Sequence, residues 1–261
     1  MSGTQQRVHT ARRLLGIAQN AAEQAGELLL ASRQRAAAEQ KSSATDLVSD
    51  ADRNAEALIR NILQRQRPAD AIVGEELGIQ PGSSGVSWSI DPLDGTTNYL
   101  RGYPGWAVSI AAADSDGTLA GVVFDPKVGA MYAAGADGAT LNGRELRVST
   151  TSDLAVSIVG IGVSYDADVR ARQGVDLAIN LPQIGDIRRG GSAALELCHV
   201  ATGALDAFVE DDLEPWDWAA GAHIVQQAGG VVTPLARAET RGILVSTPGI
   251  APQLRRSLQL T

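Results

Sequence analysis

Three rhythms of apolar residues follow one another along this chain, and their order limits what it can fold into. Residues 7–40 are rich in Ala, Leu, Gln, Glu and Arg and hold no proline. Within them Leu14, Ile17, Ala18, Ala21, Ala25, Leu28 and Leu29 recur at helical spacing, which predicts one long amphipathic helix. Lys41-Ser42-Ser43-Ala44-Thr45 has no strong period and reads as a loop. A second helix is expected from about Asp50 to Gln66, ended by Pro68. The second rhythm is short runs between turns: 71–73, 86–90, 106–113, 119–124 and 129–134 read as strands. Asp116-Gly117, Asp125-Pro126 and the hairpin signal Asn142-Gly143 punctuate them. Beyond residue 150 strands alternate with helices. Strands are expected at 156–161, 184–188, 207–209, 231–232 and 243–245, and helices at 166–180, 192–202, 217–228 and 251–258. The order predicts an α+β portion over 1–150, helices plus a largely antiparallel sheet. An α/β portion over 151–261 follows it, with a soft boundary near 145–155 inside one compact catalytic unit.

Composition excludes more than it selects. The chain has 261 residues, enough for a sizeable core, and 44% of them are apolar. Its 30 acidic and 22 basic residues give a net charge of −8, so nucleic acid and anionic membranes are not expected partners. Cys198 is the only cysteine, which excludes an internal disulfide and a cysteine-based zinc site and fits a reducing cytosol. The apolar runs are too short for a membrane span, and the first twenty residues lack a signal core. The chain reads as soluble and cytoplasmic.

The chemistry concentrates in Trp88-Ser89-Ile90-Asp91-Pro92-Leu93-Asp94-Gly95-Thr96-Thr97-Asn98. A strand runs into Asp91, and Pro92 is expected to break its ladder. Gly95 permits a tight turn, and Thr96 or Thr97 is placed to cap a helix. Two carboxylates so close repel unless a cation lies between them, although an isolated Asp-Pro-x-Asp-Gly is more often two solvated turn acids. Two further acids weigh against that bland reading. Glu75 ends the strand before this segment, within Gly74-Glu75-Glu76, and Asp217 stands at a helix start in Trp216-Asp217-Trp218-Ala219-Ala220-Gly221. Alone, an acid at a helix start is usually a cap.

Together, GEE at 74–76, DPLDGTTN at 91–98 and WDWAAG at 216–221 resemble the inositol monophosphatase family. That family lies within the superfamily of magnesium-dependent, lithium-sensitive phosphatases that includes fructose-1,6-bisphosphatases. The resemblance runs from Lys41 to Gly230. It implies a layered α-β-α-β-α sandwich, a homodimer, and hydrolysis of myo-inositol 1-phosphate or a similar polyol or sugar phosphate. By the same resemblance Glu75, Asp91, the Leu93 carbonyl, Asp94 and Asp217 are the ligands of two or three Mg²⁺ ions per site. Such an all-oxygen set suits Mg²⁺ or Mn²⁺ over zinc. Glu75, Thr96 and Asp52 are implied in catalysis, the Thr96 hydroxyl and Asp52 carboxylate orienting and deprotonating an attacking water. Asp52 is preferred to Asp50 on spacing within Asp46-Leu47-Val48-Ser49-Asp50-Ala51-Asp52, and the alternative for it is a helix-start acid. Lys41, eleven residues before Asp52, matches a mobile-loop lysine, or is a solvated loop residue. Substrate contacts are implied for Asp94, Gly95, Thr96, Gly191, Ser192, Ala193, Glu210 and Asp217.

The linker Asp211-Asp212-Leu213-Glu214-Pro215 is more acidic than the family norm, which leaves substrate identity open. Fructose 1,6-bisphosphate, histidinol phosphate and 3′-phosphoadenosine 5′-phosphate are alternative substrates within the superfamily. A regulatory role in RNA metabolism is an alternative of another class. His199, Cys198 and His223 read as packing residues, and the four tryptophans read as core. Gly160-Ile161-Gly162 is half a dinucleotide fingerprint, with Tyr165 where its third glycine belongs. Arg188-Arg189 is a solvated pair or reaches a substrate phosphate across a dimer interface.

Overall fold

The long helical rhythm folds as expected, and its apolar stripe decides where the first layer sits. In the computed structural model residues 3–39, 44–236 and 241–258 are described, with side chains for 3–33, 50–235 and 241–258. Helix α1 spans Gly3–Glu39 and buries Leu14, Ala18, Ala21, Ala25 and Leu29 completely. Helix α2 spans Ala44–Gln66, six residues longer at its start than its apolar period indicates. Ala44, Leu47 and Val48 in the added turns are too few to establish a helical period on their own. Asp52 is therefore well inside the helix rather than in its first turn. Lys41 lies outside the described residues.

Eight strands follow: β1 Ala71–Gly74, β2 Gly78–Gln80, β3 Ser87–Asp94, β4 Ala107–Asp114, β5 Gly117–Asp125, β6 Ala130–Gly135, β7 Gly138–Leu141 and β8 Arg144–Glu145. The short helix α3, Thr96–Arg101, interrupts them. They form one sheet in the order β2-β1-β3-β4-β5-β6-β7-β8. All pairs are antiparallel except β1 with β3, which run parallel. The edge strand β2 is not among the strands expected from the sequence. It is three residues long with Ile79 exposed, so it carries no alternation to read. Asn142 and Gly143 both take positive φ, 50° and 79°, as the tight hairpin between β7 and β8 requires.

The second half builds β9 Ile158–Ile161, α4 Ala167–Asn180, β10 Asp186–Arg188, α5 Ala193–Ala201, β11 Ala207–Asp211, α6 Pro215–Gln227, β12 Val231–Ala236, β13 Arg241–Ser246 and α7 Ala251–Ser257. Its sheet runs β10-β9-β11-β13-β12, parallel around β9 and antiparallel around β13.

Alternation along the strands sorts the core into three. Val108, Ile110, Ala112 and Val122 face α1 and α2. Ala107, Ala111, Val123 and Ala134 point the other way and meet α5 and α6, which in turn receive Phe208, Ile243 and Val245 from the second sheet. Val159, Ala207 and Leu244 point outward against α7, with α4 beside it. The result is the α-β-α-β-α layering expected of the chain. Trp88 and Trp106 are fully buried in the first core, whereas Trp216 and Trp218 are half-buried on α6. No helix among the described residues is long and apolar enough to cross a membrane.

Candidate active site

Strand register alone brings the first three acids together. Gly74 of β1 lies opposite Ile90 of the parallel β3, and the Glu75 N–H continues the pairing to the Ile90 carbonyl at 3.2 Å. Glu75 and Asp91 therefore leave the sheet side by side. Asp91 and Asp94 are three residues apart, which in a regular strand aims them at opposite faces. Against β4, however, Asp91 lies opposite Ser109 and Asp94 opposite Ala107, so β3 carries one extra residue. This bulge, rather than the expected end of the strand at Pro92, re-aims the chain so that both aspartates line one cavity. The Leu93 N–H donates to Asp91 Oδ1 at 2.9 Å, and the Leu93 carbonyl accepts from Thr96 Oγ1 at 3.0 Å.

Gly95 then turns the chain into α3 at φ 87°, where a Cβ would lie 2.8 Å from the Gly105 carbonyl oxygen. Glycine is needed there on both counts. Gly95 is itself the helix cap, so neither threonine caps α3: Thr96 is its first residue and bonds backwards to Leu93. Asn98 then ties α3 to two loops, its Nδ2 donating to Gly105 O at 2.6 Å and Gly190 O at 2.8 Å.

The other contributors come from the second half. Asp94 Oδ2 accepts from Ser192 Oγ at 2.5 Å and the Ala194 N–H at 2.7 Å, joining β3 to the start of α5. Asp217 is the third residue of α6, and its Oδ2 accepts from the Glu214 N–H at 2.7 Å. It is a cap, and it also faces the cavity. Helix α6 reaches this position by lying close on the first sheet. A Cβ on Gly121 of β5 would come within 2.8 Å of the Ala220 carbonyl oxygen.

The cavity measures about 280 Å³. Glu75, Asp91, Leu93, Asp94, Thr96 and Asp217 line one side, and Gly191, Ser192 and Ala193 border it. Glu210, Ser164, Tyr165, Arg189 and Asp212 line the far side. Asp52 is buried on α2 and is not part of the lining, but its charge acts on Asp91. Among the described residues, the expected site residues other than Asp52 all line this one cavity.

The electrostatics of this group are uniform in sign. Burial, then repulsion from Glu75, Asp94, Asp217 and Asp52, holds the Asp91 carboxyl well above the usual carboxylate range. Burial and the charges of Glu75, Glu76 and Glu56 push Asp52 up to about 8. Asp217 rises to about 7, again chiefly by burial. For Asp94 the bonds from Ser192 and Ala194 oppose burial, and it reaches about 6. Glu75, at the solvent edge of the cavity, is raised by lost hydration and neighbouring acids, against a hydrogen bond with Asp91. Glu210 is pushed to about 8 by burial, Asp94 and Asp217, with Arg189 pulling the other way.

Among the described residues none of Asp52, Glu75, Asp91, Asp94 and Asp217 joins an ion pair. The buried Asp52 Oδ1 has no hydrogen-bond partner. Uncompensated, all-oxygen donors at one cavity fit a hard divalent cation. No three His, Cys, Asp or Glu side chains among the described residues already close on one point as a finished ligand shell. Asp94 and Asp217 each use one oxygen as an acceptor from neighbouring donors.

Three contributors escaped sequence reasoning. Glu56, fully buried on α2, accepts from the Glu76 N–H at 2.7 Å and the Leu77 N–H at 3.2 Å, and so fixes the turn that carries Glu75. Its pairing with Arg60 Nε at 2.7 Å is an i,i+4 pattern, a faint signal in sequence. Asn98 closes the DPLDGTTN motif and Asp212 lies in the acidic linker 211–215, but neither motif nor composition indicates what its side chain bonds. The glycines at 160 and 162 serve no dinucleotide: a Cβ on Gly162 would lie 1.8 Å from the Glu210 carboxylate, and one on Gly160 would lie 3.0 Å from Glu196 Oε2. His199 lies 3.9 Å from Glu196, away from the cavity lining, and Cys198 is buried.

Comparison with known proteins finds relatives over most of the chain. The sequence profile described as "Inositol monophosphatase family" matches residues 11–259. The "Inositol-1-monophosphatase SuhB" of Mycobacterium tuberculosis is 40% identical over 232 residues, covering 84% of this chain and 80% of that protein. The "Nus factor SuhB" of Escherichia coli K12 is 40% identical over 226 residues, covering 84% of each. Among solved structures, Mycobacterium tuberculosis SuhB superimposes with a TM-score of 0.84 at 36% identity, covering 95% of this chain and 96% of that one. An inositol monophosphatase from Anabaena gives 0.82 at 34% identity, covering 95% and 96%.

Proposed function

The chain belongs to the inositol monophosphatase family, and from that premise we propose a Mg²⁺-dependent phosphoric monoester hydrolase acting on myo-inositol 1-phosphate or a similar polyol or sugar phosphate. One observation carries the reading: Glu75, Asp91, Asp94 and Asp217 share a cavity, and among the described residues no cationic side chain is paired to any of them. Glu75, Asp91 and the Leu93 carbonyl would hold one ion, and Asp91, Asp94 and Asp217 would hold a second. Mn²⁺ is an acceptable substitute, and Lys41 is assigned to a loop that assists a third. Bound ions of this kind supply positive charge to phosphate oxygens and acidify an attacking water.

The chain's own residues do the rest. Gly95 and Thr96 are assigned to the turn that meets the phosphate, and Gly191, Ser192 and Ala193 to the wall beside the alcohol's hydroxyls. The Gly95, Ala193 and Ala194 N–H groups themselves donate to the Asp94 carboxylate and hold these segments together. The Thr96 hydroxyl orients the attacking water, and Asp52 takes its proton. Burial and the neighbouring acids raise Asp52 in the ion-free cluster, and bound cations would offset that repulsion and leave it ionised to accept the proton. Glu210 accepts hydrogen bonds from the hydroxyls of the alcohol. A cytoplasmic homodimer belongs to the same proposal.

A second reading has one observation in its favour, the name Nus factor carried by the Escherichia coli relative. For that reason the sequence-based expectation that nucleic acid is no partner is not carried further. The test is phosphate release from myo-inositol 1-phosphate, fructose 1,6-bisphosphate, histidinol phosphate and 3′-phosphoadenosine 5′-phosphate, with and without Mg²⁺, and with lithium. Mg²⁺-dependent, lithium-inhibited release from the first supports the phosphatase. No release from any of them, together with binding to an RNA or a transcription complex, supports the second reading. Asp94→Asn keeps the acceptor toward Ser192 but weakens the ion site, and should lower kcat by roughly two to three orders of magnitude with an unchanged circular dichroism spectrum. Full turnover of that variant at saturating Mg²⁺ would sink the ligand assignment.

A further inference from the structure

One buried carboxylate in the cavity wall takes no part in the chemistry proposed above. Glu196, in the first turn of α5, borders the cavity with only 3% of its surface exposed. Burying a charge is costly unless it is paired or hydrogen-bonded. Among the described residues Glu196 pairs with no Arg or Lys, and only His199 Nδ1 approaches it, to 3.9 Å. Its hydrogen bond goes elsewhere, Oε1 accepting from the Gly190 N–H. Two glycines make room for it. A Cβ on Gly190 would overlap Oε1, and one on Gly160 would lie 3.0 Å from Oε2.

The bonded peptide lies where the wall has least stiffness of its own. Strand β10 ends at Arg188 and α5 begins at Ala193, so residues 189–192 cross between them outside either element. Gly190 and Gly191 form the middle of this link, and Gly191 takes φ 93°. Two glycines in a row give a chain exceptional conformational freedom. Both polar groups of Gly190 are nevertheless held by buried side chains. Its N–H donates to Glu196, and its carbonyl accepts from Asn98 Nδ2 at 2.8 Å. A carboxylate makes such a bond shorter and stronger than a neutral acceptor would. Arg189 and Gly191, on either side of the held peptide, line the cavity. Ser192 has ties of its own: its Oγ donates to Asp94 at 2.5 Å and accepts from the Leu195 N–H at 3.2 Å. Glu196 therefore controls the wall at 189–191, whereas the acid cluster is fixed without it.

Resting on the phosphatase reading above, we propose that Glu196 is a positioning residue: acting through the Gly190 peptide, it holds Arg189 and Gly191 in place against the alcohol part of the substrate. It touches no reacting atom, so its loss is felt in KM for the ester and not in kcat or in the grip on the phosphate group.

Inorganic phosphate, which has no alcohol part, separates these effects. kcat and KM are measured at saturating Mg²⁺ for whichever ester of the panel above the wild type cleaves fastest, together with the inhibition constant of inorganic phosphate. Glu196→Met keeps the length and bulk of the side chain but removes the acceptor. It should raise KM about tenfold and leave kcat and the inhibition constant within about twofold. Glu196→Ala, which leaves space instead of bulk, should show the same split. Glu196→Gln, which keeps the acceptor oxygen, should recover most of the wild-type KM. A residue that served only the fold would lower kcat and weaken phosphate binding along with KM, in step with the melting temperature. That pattern, an unchanged KM in Glu196→Met, or a Gln variant no better than the Met variant, overturns the inference and leaves the phosphatase intact. No Mg²⁺-dependent release by the wild type from any ester of the panel overturns the phosphatase reading and the inference with it.

Discussion

Asp91 is where the charge of the pocket is most concentrated, buried and facing Glu75, Asp94, Asp217 and Asp52. A carboxyl raised on folding binds its proton more tightly in the folded state than in the unfolded one. Stability then falls as pH climbs from the unfolded value toward the folded one. For Asp94, Asp217 and Asp52 the folded values are about 6, 7 and 8, so the metal-free protein should lose stability between about pH 4 and about pH 8. A divalent cation that binds the ionised cluster reverses this. Melting temperatures with EDTA and with Mg²⁺ should diverge as pH rises, with the larger gain from Mg²⁺ near pH 8. An equal gain at both ends of the range would separate metal binding from these carboxyls. At this scale the sequence was generous. Short-range motifs named Glu75, Asp91, Asp94 and Asp217, because residues that serve one ion are constrained in type. Asp212 was illegible, since φ and the partner Ser164, 48 residues away, have no local trace.

Between elements, small departures from regularity set the geometry. The bulge in β3 converts an opposite-face pair of aspartates into a same-face pair, and no periodicity rule anticipates it. The parallel pairing of β1 with β3 was equally hidden, because a four-residue strand does not declare its direction. Glu56 joins α2 to the turn after β1. Glu56→Ala would strand the buried Arg60 and free that turn, at about 3 kcal/mol or more of stability. The same variant should need more Mg²⁺ for half-maximal activity, read from a Mg²⁺ titration of phosphate release. An unchanged requirement would mean that Glu75 is held by other contacts. The approach of α6 to β5 is as demanding. Gly121→Ala places a methyl against backbone at Ala220, so it should lower stability by roughly 1–3 kcal/mol. It should also reduce kcat by displacing Asp217. Loss of stability with full kcat would show that α6 shifts without carrying its N-terminus along.

For the whole molecule, the change of rhythm near residue 150 suggested two portions, and the layering joins them. The core around α5 and α6 takes Ala107, Ala111, Val123 and Ala134 from the first sheet and Phe208, Ile243 and Val245 from the second. Neither sheet has a complete inner face without this shared helical layer. The candidate site spans the same seam, with Glu75, Asp91 and Asp94 from one side and Asp217 and Glu210 from the other. We therefore expect one cooperative unfolding transition. Fluorescence reports the first core through Trp88 and Trp106 and the shared layer through Trp216 and Trp218, and far-ultraviolet circular dichroism reports every element, so the two urea curves should coincide in midpoint and slope. Because Mg²⁺ ligands are drawn from both sides, the ion should move both curves together by the same amount. A fragment ending near residue 150 would expose the inner face of its sheet and should aggregate or stay unfolded. Two separated transitions, with only one of them moved by Mg²⁺, would divide the molecule at the boundary that the change of rhythm suggests.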